Sequence, residues 1–388
     1  MRKGIRLPHI AVLLALLAAL AGCISPPPAG TEPIDALVSA QQDAIRAADV
    51  DAALGTVNPD DAWYRTEMAN LVRDQAVAPV EDYTRTVKNI RQIDDATWEA
   101  TLTQRYTAGG ESRSSQCVHR FIAIGNRIYD AGPAFSQYRD GKVTVYHTAD
   151  TREMARELSA AVNAYLSELE AAWGFMPKEG LHIKLYDDHE VFLQSIKLTL
   201  PAWVGGWHES GESIKLFAAM RRADAYAPML RHETTHMALS ELTGDNAAYW
   251  MHEGFATLLE QTGTAALTSP YIADMDALEG LYRQKRLPDI TDHLSTNPEL
   301  LSDSLDVRGY YAYSCAMVVW LLDERSPDIL KPVFEALRAC DMIPGTAAEK
   351  IEALNERTAA ALRSAAQIEF GEDFEDWLEQ KIIAFTNS

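Results

Sequence analysis

The chain has 388 residues, of which 47% are hydrophobic and 23% are charged. This ordinary globular composition excludes a wholly disordered chain, and the length favours two domains over one. With 35 basic and 56 acidic residues, the net charge of -21 repels phosphate backbones, so the sequence predicts no nucleic-acid partner.

The N-terminus begins with a basic segment and continues with a short apolar run. Residues 1–6 read MRKGIR, and the run over residues 11–22 is too short to span a membrane comfortably. The run ends in the segment LAGC, which resembles the lipobox of bacterial lipoproteins. The resemblance implies a signal peptide over residues 1–22 and a lipid on Cys23 that anchors the chain to a membrane. The alternative is an ordinary signal peptide in which Cys23 occurs by chance.

Residues 23–34 are predicted to link the lipidated Cys23 to the folded part of the chain. Three consecutive prolines in this segment favour an extended spacer. In bacterial lipoproteins, an Asp directly after the lipidated Cys indicates retention at the inner membrane. This chain has Ile24 there, so the resemblance favours the outer membrane of the cell envelope.

Three further cysteines follow, namely Cys117, Cys315 and Cys340. An odd number in an oxidising compartment leaves at least one thiol unpaired. Two alternatives remain for Cys315 and Cys340: a disulfide between them or two buried free thiols. No CxxC pair is present, so the sequence does not support a cysteine-based metal or redox site.

The pattern of apolar and turn residues predicts two domains, at residues 35–138 and 139–388. The first begins with apolar residues at helical spacing and continues with alternating segments separated by turn signals such as Gly109-Gly110 and Gly125-Asn126. Helices followed by an antiparallel sheet are therefore expected. This pattern resembles the NTF2-like (cystatin-like cone) domain, which implies a concave sheet that binds a ligand or packs against a partner protein. No ligand site is assigned there.

The second domain is predicted to begin with a small sheet and to end in helices. Strands are expected at residues 141–146, 182–186 and 212–218, with an amphipathic helix over 155–174. Helical patterning dominates from about residue 225. Gly205 and Gly206, which precede the third strand, suit either a close backbone approach or a plain turn. The two domains together give an α+β fold class.

The segment that carries chemistry is His232-Glu233-Thr234-Thr235-His236. At 3.6 residues per turn, His232 and His236 stand on one face of a helix, where two imidazoles can bind one zinc ion. Glu233 can then reach a water on the metal without being a ligand. Gly244 suits the left-handed position at which this helix is expected to end.

A catalytic zinc site has three protein ligands and one open position. We expect the third ligand, Glu253, from a second helix that contains the segment WMHEGFA. Gly254 has no Cβ, so it would let two backbones approach closely beside the metal. An HExxH motif alone occurs by chance in many proteins and is weak evidence of a metal site. The combination of this motif with the WMHEGFA segment is much more specific.

The two motifs resemble those of gluzincin metallopeptidases, in particular the bacterial peptidase MA-like group with its WxxEGxA helix. The resemblance implies a thermolysin-like domain, one Zn²⁺ held by His232, His236 and Glu253, and Glu233 as the general base. It also implies that the strand at 212–218 lies at the sheet edge and pairs with an extended peptide substrate. The gap between His236 and Glu253 is shorter than in thermolysin and the large aminopeptidases, which argues against those subgroups.

Gluzincins often stabilise the oxyanion with a Tyr or His from a downstream helix. Tyr310, Tyr311 and Tyr313 are the candidates here, and Tyr311 is favoured; packing roles are the alternative. His208 and His252 are expected to support the site or to lie at the surface. For Glu260, a hydrogen bond to a ligand histidine and an exposed carboxylate are both considered, with the exposed one as the default.

The sequence therefore predicts a zinc-dependent metallohydrolase anchored to the bacterial cell envelope, with a peptide or protein as substrate. A second hypothesis is an envelope lipoprotein that acts as a binding or assembly module, recruits a protein partner through its N-terminal domain and keeps a structural or vestigial metal site. A third is a hydrolase of another envelope amide, such as a peptidoglycan cross-link.

Overall fold

The computed structural model describes residues 32–219, 222–343 and 347–388. The signal peptide predicted over residues 1–22, the lipidation site at Cys23 and most of the predicted linker lie outside the described residues. Among the helices of the described part, none has the length and apolarity needed to cross a membrane.

The chain divides into two compact units, which are described separately below. The first extends to Ala134 and also includes Gln194–Thr199, whereas the second comprises Phe135–Leu193 and Leu200–Ser388. The division before Phe135 lies a few residues N-terminal to the predicted domain boundary at residue 138.

The first unit consists of helices followed by an antiparallel sheet, as predicted. Its helices are α1 (Glu32–Arg46), α2 (Val50–Leu54) and α3 (Ala62–Val77). Its strands, which lie side by side in chain order, are β1 (Glu81–Gln92), β2 (Thr97–Ala108), β3 (Glu111–Ile124) and β4 (Arg127–Pro133). The turn signals at Gly109-Gly110 and Gly125-Asn126 fall in two-residue loops that connect β2 to β3 and β3 to β4.

A buried carboxylate organises the polar interior of this unit. Asp130 is only 1% exposed and accepts four hydrogen bonds. Its Oδ1 accepts from the ring of His119 at 3.0 Å and from the Gly132 N–H at 2.8 Å. Its Oδ2 accepts from the Tyr64 hydroxyl at 2.8 Å and from the Gln41 amide at 3.2 Å. The carboxylate thereby connects α1, α3, β3 and β4, which are distant in sequence.

The second unit begins with a mixed five-stranded sheet. Its strands are β5 (Ser136–Asp140), β6 (Val143–His147), β7 (Leu181–Tyr186), β8 (Gly206–Trp207) and β9 (Ile214–Phe217), in the spatial order β5-β6-β7-β9-β8. The strands β6, β7 and β9 are parallel, while β5 and β8 pair antiparallel at the two edges. Apolar side chains from β6, β7 and β9 form one buried cluster with helix α4 (Arg152–Trp173).

The predicted position of the third strand at the sheet edge is wrong. The segment 212–218 forms β9, which is enclosed between β7 and β8, and the edge is the two-residue strand β8. The sequence offers no strand signal at Gly206–Trp207, because the pairing depends on a loop that folds back onto β9 rather than on an apolar alternation.

The remainder of the second unit is helical, as predicted. Its helices are α5 (His189–Gln194, whose last residue belongs to the first unit), α6 (Ala227–Thr243), α7 (Tyr249–Leu259), α8 (Met275–Arg283), α9 (Ile290–Ser295), α10 (Ser304–Glu324), α11 (Leu330–Arg338), α12 (Ala347–Ala366) and α13 (Glu372–Thr386). Apolar residues of α7 and α10 are the centre of the largest buried cluster. The mixture of helices and strands, with an antiparallel sheet in the N-terminal unit, agrees with the predicted α+β class.

All three cysteines of the described part are free thiols, so the disulfide alternative for Cys315 and Cys340 is wrong. Cys315 is buried in α10, where its Sγ lies 3.5 Å from the carbonyl oxygen of Tyr271. Cys340 is exposed just after α11, which also differs from the alternative of two buried thiols.

Candidate metal centre

Helix α6 presents both histidines of the HETTH segment at one site. The helix runs over Ala227–Thr243, and Gly244 ends it in the left-handed conformation with a φ of 63°, as predicted. The imidazole centroids of His232 and His236 lie 4.8 Å apart. One helical turn between them therefore brings the two rings together on a single face.

Helix α7 brings Glu253 to these rings, and its neighbour Gly254 explains how the helix is held. A Cβ at Gly254 would lie 2.4 Å from the backbone oxygen of Ser314 and 2.6 Å from a methyl of Val318, both on α10. Since these distances are too short for any side chain, glycine permits the close packing of α7 against α10. This packing fixes the backbone directly beside Glu253.

The three side chains fit a zinc ion. The Oε2 of Glu253 lies 3.4 Å from Nε2 of His232 and 3.6 Å from Nε2 of His236, and one ligand atom from each residue lies within 4.8 Å of the others. Tetrahedral zinc with ligands at about 2.0–2.1 Å separates them by about 3.3–3.4 Å. Oε2 is buried and has no hydrogen bond of regular geometry within the described chain. Two imidazoles and a carboxylate oxygen are also ligands that zinc accepts.

Charge interactions reinforce the arrangement. Burial opposes ionisation of Glu253, but the neighbouring histidines His236 and His232 outweigh it and hold the pKa of this carboxyl well below its usual range. Burial likewise favours the neutral form of His232, yet the carboxylates of Glu253 and Glu260 beside its two ring nitrogens outweigh it and raise its pKa to about 10. The site therefore keeps an anionic carboxylate facing both rings.

Glu260 supports His232 from the other side of the ring. Its Oε2 lies 3.3 Å from Nδ1 of His232, so the default expectation of an exposed carboxylate is wrong. A carboxylate on one ring nitrogen orients the imidazole and leaves the other nitrogen for a metal. Here that other nitrogen, Nε2, is the one that faces Glu253.

Glu233 is the buried acid beside these ligands, and the edge strand β8 lies against it. The residue is 7% exposed, and burial raises the pKa of its carboxyl, while the imidazoles of His232 and His236 oppose this shift. A Cβ at Gly206 would lie 2.5 Å from its Oε1. Gly206 therefore makes the close backbone approach that the sequence left open, and the plain-turn alternative is wrong for this residue.

We expect Gly206→Ala to reduce any activity that depends on Glu233 without unfolding the chain. The new methyl would displace the carboxylate, and a misplacement of about 1 Å can reduce a rate about a hundredfold. Gly205→Ala is the matched control, because its Cβ would meet only the flexible end of Met229, at 3.2 Å. Turnover and zinc content of both variants would be compared with the wild type. Equal turnover in the two variants would contradict the positioning role of Gly206.

Of the three candidate tyrosines, Tyr311 is the one whose ring contacts a candidate metal ligand, His232. Its ring centroid lies 6.1 Å from that of His232. Tyr310 and Tyr313 are buried and stack on His293, with ring centroids at 4.6 and 4.2 Å. The two buried tyrosines therefore have packing roles, and Tyr311 remains the candidate for contact with a substrate.

Two further histidines lie beside His236. The ring of His252 stacks on it with centroids 5.7 Å apart, and burial together with the charge of His236 lowers the pKa of His252 to about 4. Burial and the charges of His236 and His252 lower the pKa of His208 to about 3. Both side chains are therefore uncharged at neutral pH and add no net charge to the centre.

A cavity of about 420 Å³ adjoins the candidate metal centre on the side of His232. Its other lining residues come from α7, from the segment between α7 and α8, and from α10; they are Thr257, Glu260, Gln261, Tyr271, Ile272, Ala273, Asp274, Arg308 and Tyr311. Sequence reasoning missed most of this lining. Residues such as Thr257, Asp274 and Arg308 belong to no motif and meet only through the packing of separate helices.

Comparison with models of known protein families found no match for this chain. Comparison with curated proteins found none either.

Proposed function

We propose that this protein is a zinc-dependent metallohydrolase, and specifically an endopeptidase of the gluzincin type. The observation that supports it most is the convergence of His232, His236 and Glu253 around one point, with the buried acid Glu233 directly after His232 in sequence. A purely structural zinc site needs four ligands and has no use for such an acid. The resemblance of both motifs to gluzincins supports the same reaction.

In the proposed reaction, each side chain has a separate task. Zinc bound by His232, His236 and Glu253 would supply Lewis acidity and lower the pKa of a bound water to about 7. Glu233 accepts a proton from the water that attacks the carbonyl carbon, and it delivers this proton to the amine nitrogen as the C–N bond breaks. Its raised pKa makes it a stronger base than an exposed carboxylate. Tyr311 donates a hydrogen bond to the carbonyl oxygen as negative charge develops there.

The substrate would bind along β8. This strand ends the described sheet on the side where Gly206 contacts Glu233, so an extended peptide added to this edge would pass the general base. Backbone pairing tolerates many sequences, and this agrees with cleavage of peptides or unfolded proteins. A peptidoglycan cross-link is an amide open to the same chemistry, and substrate profiling separates the two.

We infer that the first unit is an NTF2-like domain, supported by its helices and four-stranded antiparallel meander, and that the second is a thermolysin-like gluzincin domain. A lipid on Cys23 would anchor the chain to the cell envelope, with the outer membrane favoured. The first unit could then recruit a protein partner.

Metal analysis and peptide hydrolysis of one preparation test the proposal. The full chain, purified in detergent, should contain one zinc and cleave members of a peptide library; chelation should abolish cleavage and added zinc should restore it. Glu253→Ala removes the only anionic ligand and should lose both zinc and cleavage. Glu352→Ala is the matched control on the exposed face of α12. A zinc-loaded wild type that cleaves no library member would overturn the peptidase and favour the binding module.

A further inference from the structure

The cavity beside His232 is lined by polar residues that have no role in the proposed reaction, among them Thr257, Asp274 and Arg308. It opens next to two groups of the metal centre, His232 and Tyr311, so whatever fills it lies close to the reacting bond. Ile272 and Ala273 supply apolar wall, and the remaining walls carry charged and hydroxyl groups. The charges and hydrogen-bonding groups of this lining indicate which chemical class of ligand the cavity would bind.

The lining has an excess of negative charge. In the zinc-loaded centre, where His232 would be a neutral ligand, the charged side chains of the lining are the carboxylates of Glu260 and Asp274 and the guanidinium of Arg308. Arg308 is already shared by two carboxylates, because its Nη1 lies 3.2 Å from Asp274 and 3.6 Å from Asp276. Two carboxylates therefore share one guanidinium at this end, which leaves one negative charge uncompensated, and Glu260 adds a further anion at the other end.

Thr257 provides an independent sign of a missing ligand. It lines the cavity and is 5% exposed, yet its hydroxyl oxygen has no hydrogen-bond partner among the described residues. Thr235 and Thr243 on α6 donate to the carbonyl four residues earlier, at 2.7 Å in each case. Since a buried hydroxyl without a partner is costly, Thr257 is expected to bond to something that enters the cavity.

We propose that this cavity binds a basic side chain, arginine or lysine, of the peptide substrate beside the bond to be cleaved. The inference rests on the proposed function, because it names the substrate residue that the same centre would select. A guanidinium offers five N–H donors and no acceptor. The carboxylates of Glu260 and Asp274 and the hydroxyl oxygen of Thr257 offer acceptor lone pairs that complement these donors.

The electrostatics of Asp274 support the same ligand. Burial, together with the neighbouring Asp276, raises the pKa of Asp274 to about 6 despite the presence of Arg308. Its anion is therefore insufficiently compensated by the chain itself. A ligand cation would supply the missing charge, whereas a carboxylate ligand would add a fourth anion to Glu260, Asp274 and Asp276.

Binding of a matched peptide pair tests the inference without relying on turnover. The probes are acetyl-Ala-Ala-Arg-Ala-Ala-amide and its citrulline analogue, which has almost the same shape but no charge. They are titrated calorimetrically into the zinc-loaded full chain carrying Glu233→Gln, so that neither peptide is consumed. The arginine peptide should bind about tenfold more tightly, the factor expected for a charged hydrogen bond.

Variants of the cavity assign the preference to its residues. Asp274→Asn should reduce the difference to less than about threefold, because the charge is lost while shape is kept. Asp274 has a φ of 54° and makes no side-chain cap, and asparagine tolerates this conformation, so folding should be preserved. Thr257→Val replaces the hydroxyl with a methyl group of similar size and should weaken binding of the arginine peptide alone. Glu352→Gln on α12 is the control and should leave the preference unchanged.

The outcomes separate this inference from the proposed function. Equal binding of the two peptides, or a preference that survives Asp274→Asn and Thr257→Val, overturns the basic-residue pocket. Library cleavage without any preference for arginine or lysine overturns it as well but leaves the hydrolase intact. A charge preference that depends on Asp274, in a protein that cleaves nothing, supports the pocket and contradicts only the proposed reaction.

Discussion

Glu233→Gln is expected to lower peptide hydrolysis by about 10³-fold while the chain keeps its zinc, in line with the usual contribution of a general base. Glutamine keeps nearly the shape of glutamate but cannot accept the proton. The geometry indicates that the metal would remain, because the three converging ligand atoms belong to His232, His236 and Glu253. Turnover and zinc content, measured on one preparation of Glu233→Gln, test both parts of this prediction.

Glu241→Gln is the matched control, since it makes the same change on the same helix near its C-terminal end. It should keep both zinc and turnover. Loss of zinc in Glu233→Gln would show that Glu233 binds the metal or stabilises the fold, and would contradict its role in proton transfer. Unchanged turnover would leave the metal centre without its base and would contradict the proposed reaction.

The second large effect is expected in the first unit, where Asp130→Ala should destabilise the fold by about 3–5 kcal/mol, the cost of removing one partner from a buried charged network. Four donors would lose their acceptor at once, from Gln41, Tyr64, His119 and Gly132. Urea unfolding followed by hydrogen exchange of amides in β3 and β4 would report on this unit alone. Asp60→Ala, an exposed position in the same unit, should change little.

The same carboxylate predicts a dependence of stability on pH. Burial opposes its ionisation, but His119, Arg85 and the Gly132 N–H outweigh it and hold the pKa of Asp130 well below its usual range. A carboxylate with a lower pKa in the folded state stabilises the fold above its unfolded pKa of about 3.9 and loses that contribution as the pH falls toward the folded value. The wild type should therefore lose more stability between about pH 5 and pH 2 than Asp130→Ala. Parallel pH profiles would contradict this role.

The parts of the candidate site that could be predicted from the sequence are those encoded locally. His232, Glu233 and His236 stand within one helical turn, so helix periodicity alone brings them together. The position of Gly254 likewise indicated close helix packing, which the contact with Ser314 provides. In both cases a short segment of the sequence is sufficient to predict the local geometry.

The parts that could not be predicted depend on pairs distant in sequence. The contact between Gly206 and Glu233 exists because a loop folds back onto β9, and a two-residue strand has no periodicity of its own. The Asp130 network joins residues as far apart as Gln41 and Gly132. Hydrogen-bond partners at such separations are set by tertiary packing, which a single sequence does not display.

The shortness of β8 has a consequence for self-association. A long, flat, exposed edge strand is a template on which other copies of a protein pair and aggregate. Here the edge beside Glu233 has only Gly206 and Trp207 in ladder geometry, so little backbone is offered to a second sheet. The opposite edge, β5, carries the polar sequence SQYRD. The second unit can thus keep one edge open to an extended chain while exposing too little of it to seed ordered aggregates of its own kind.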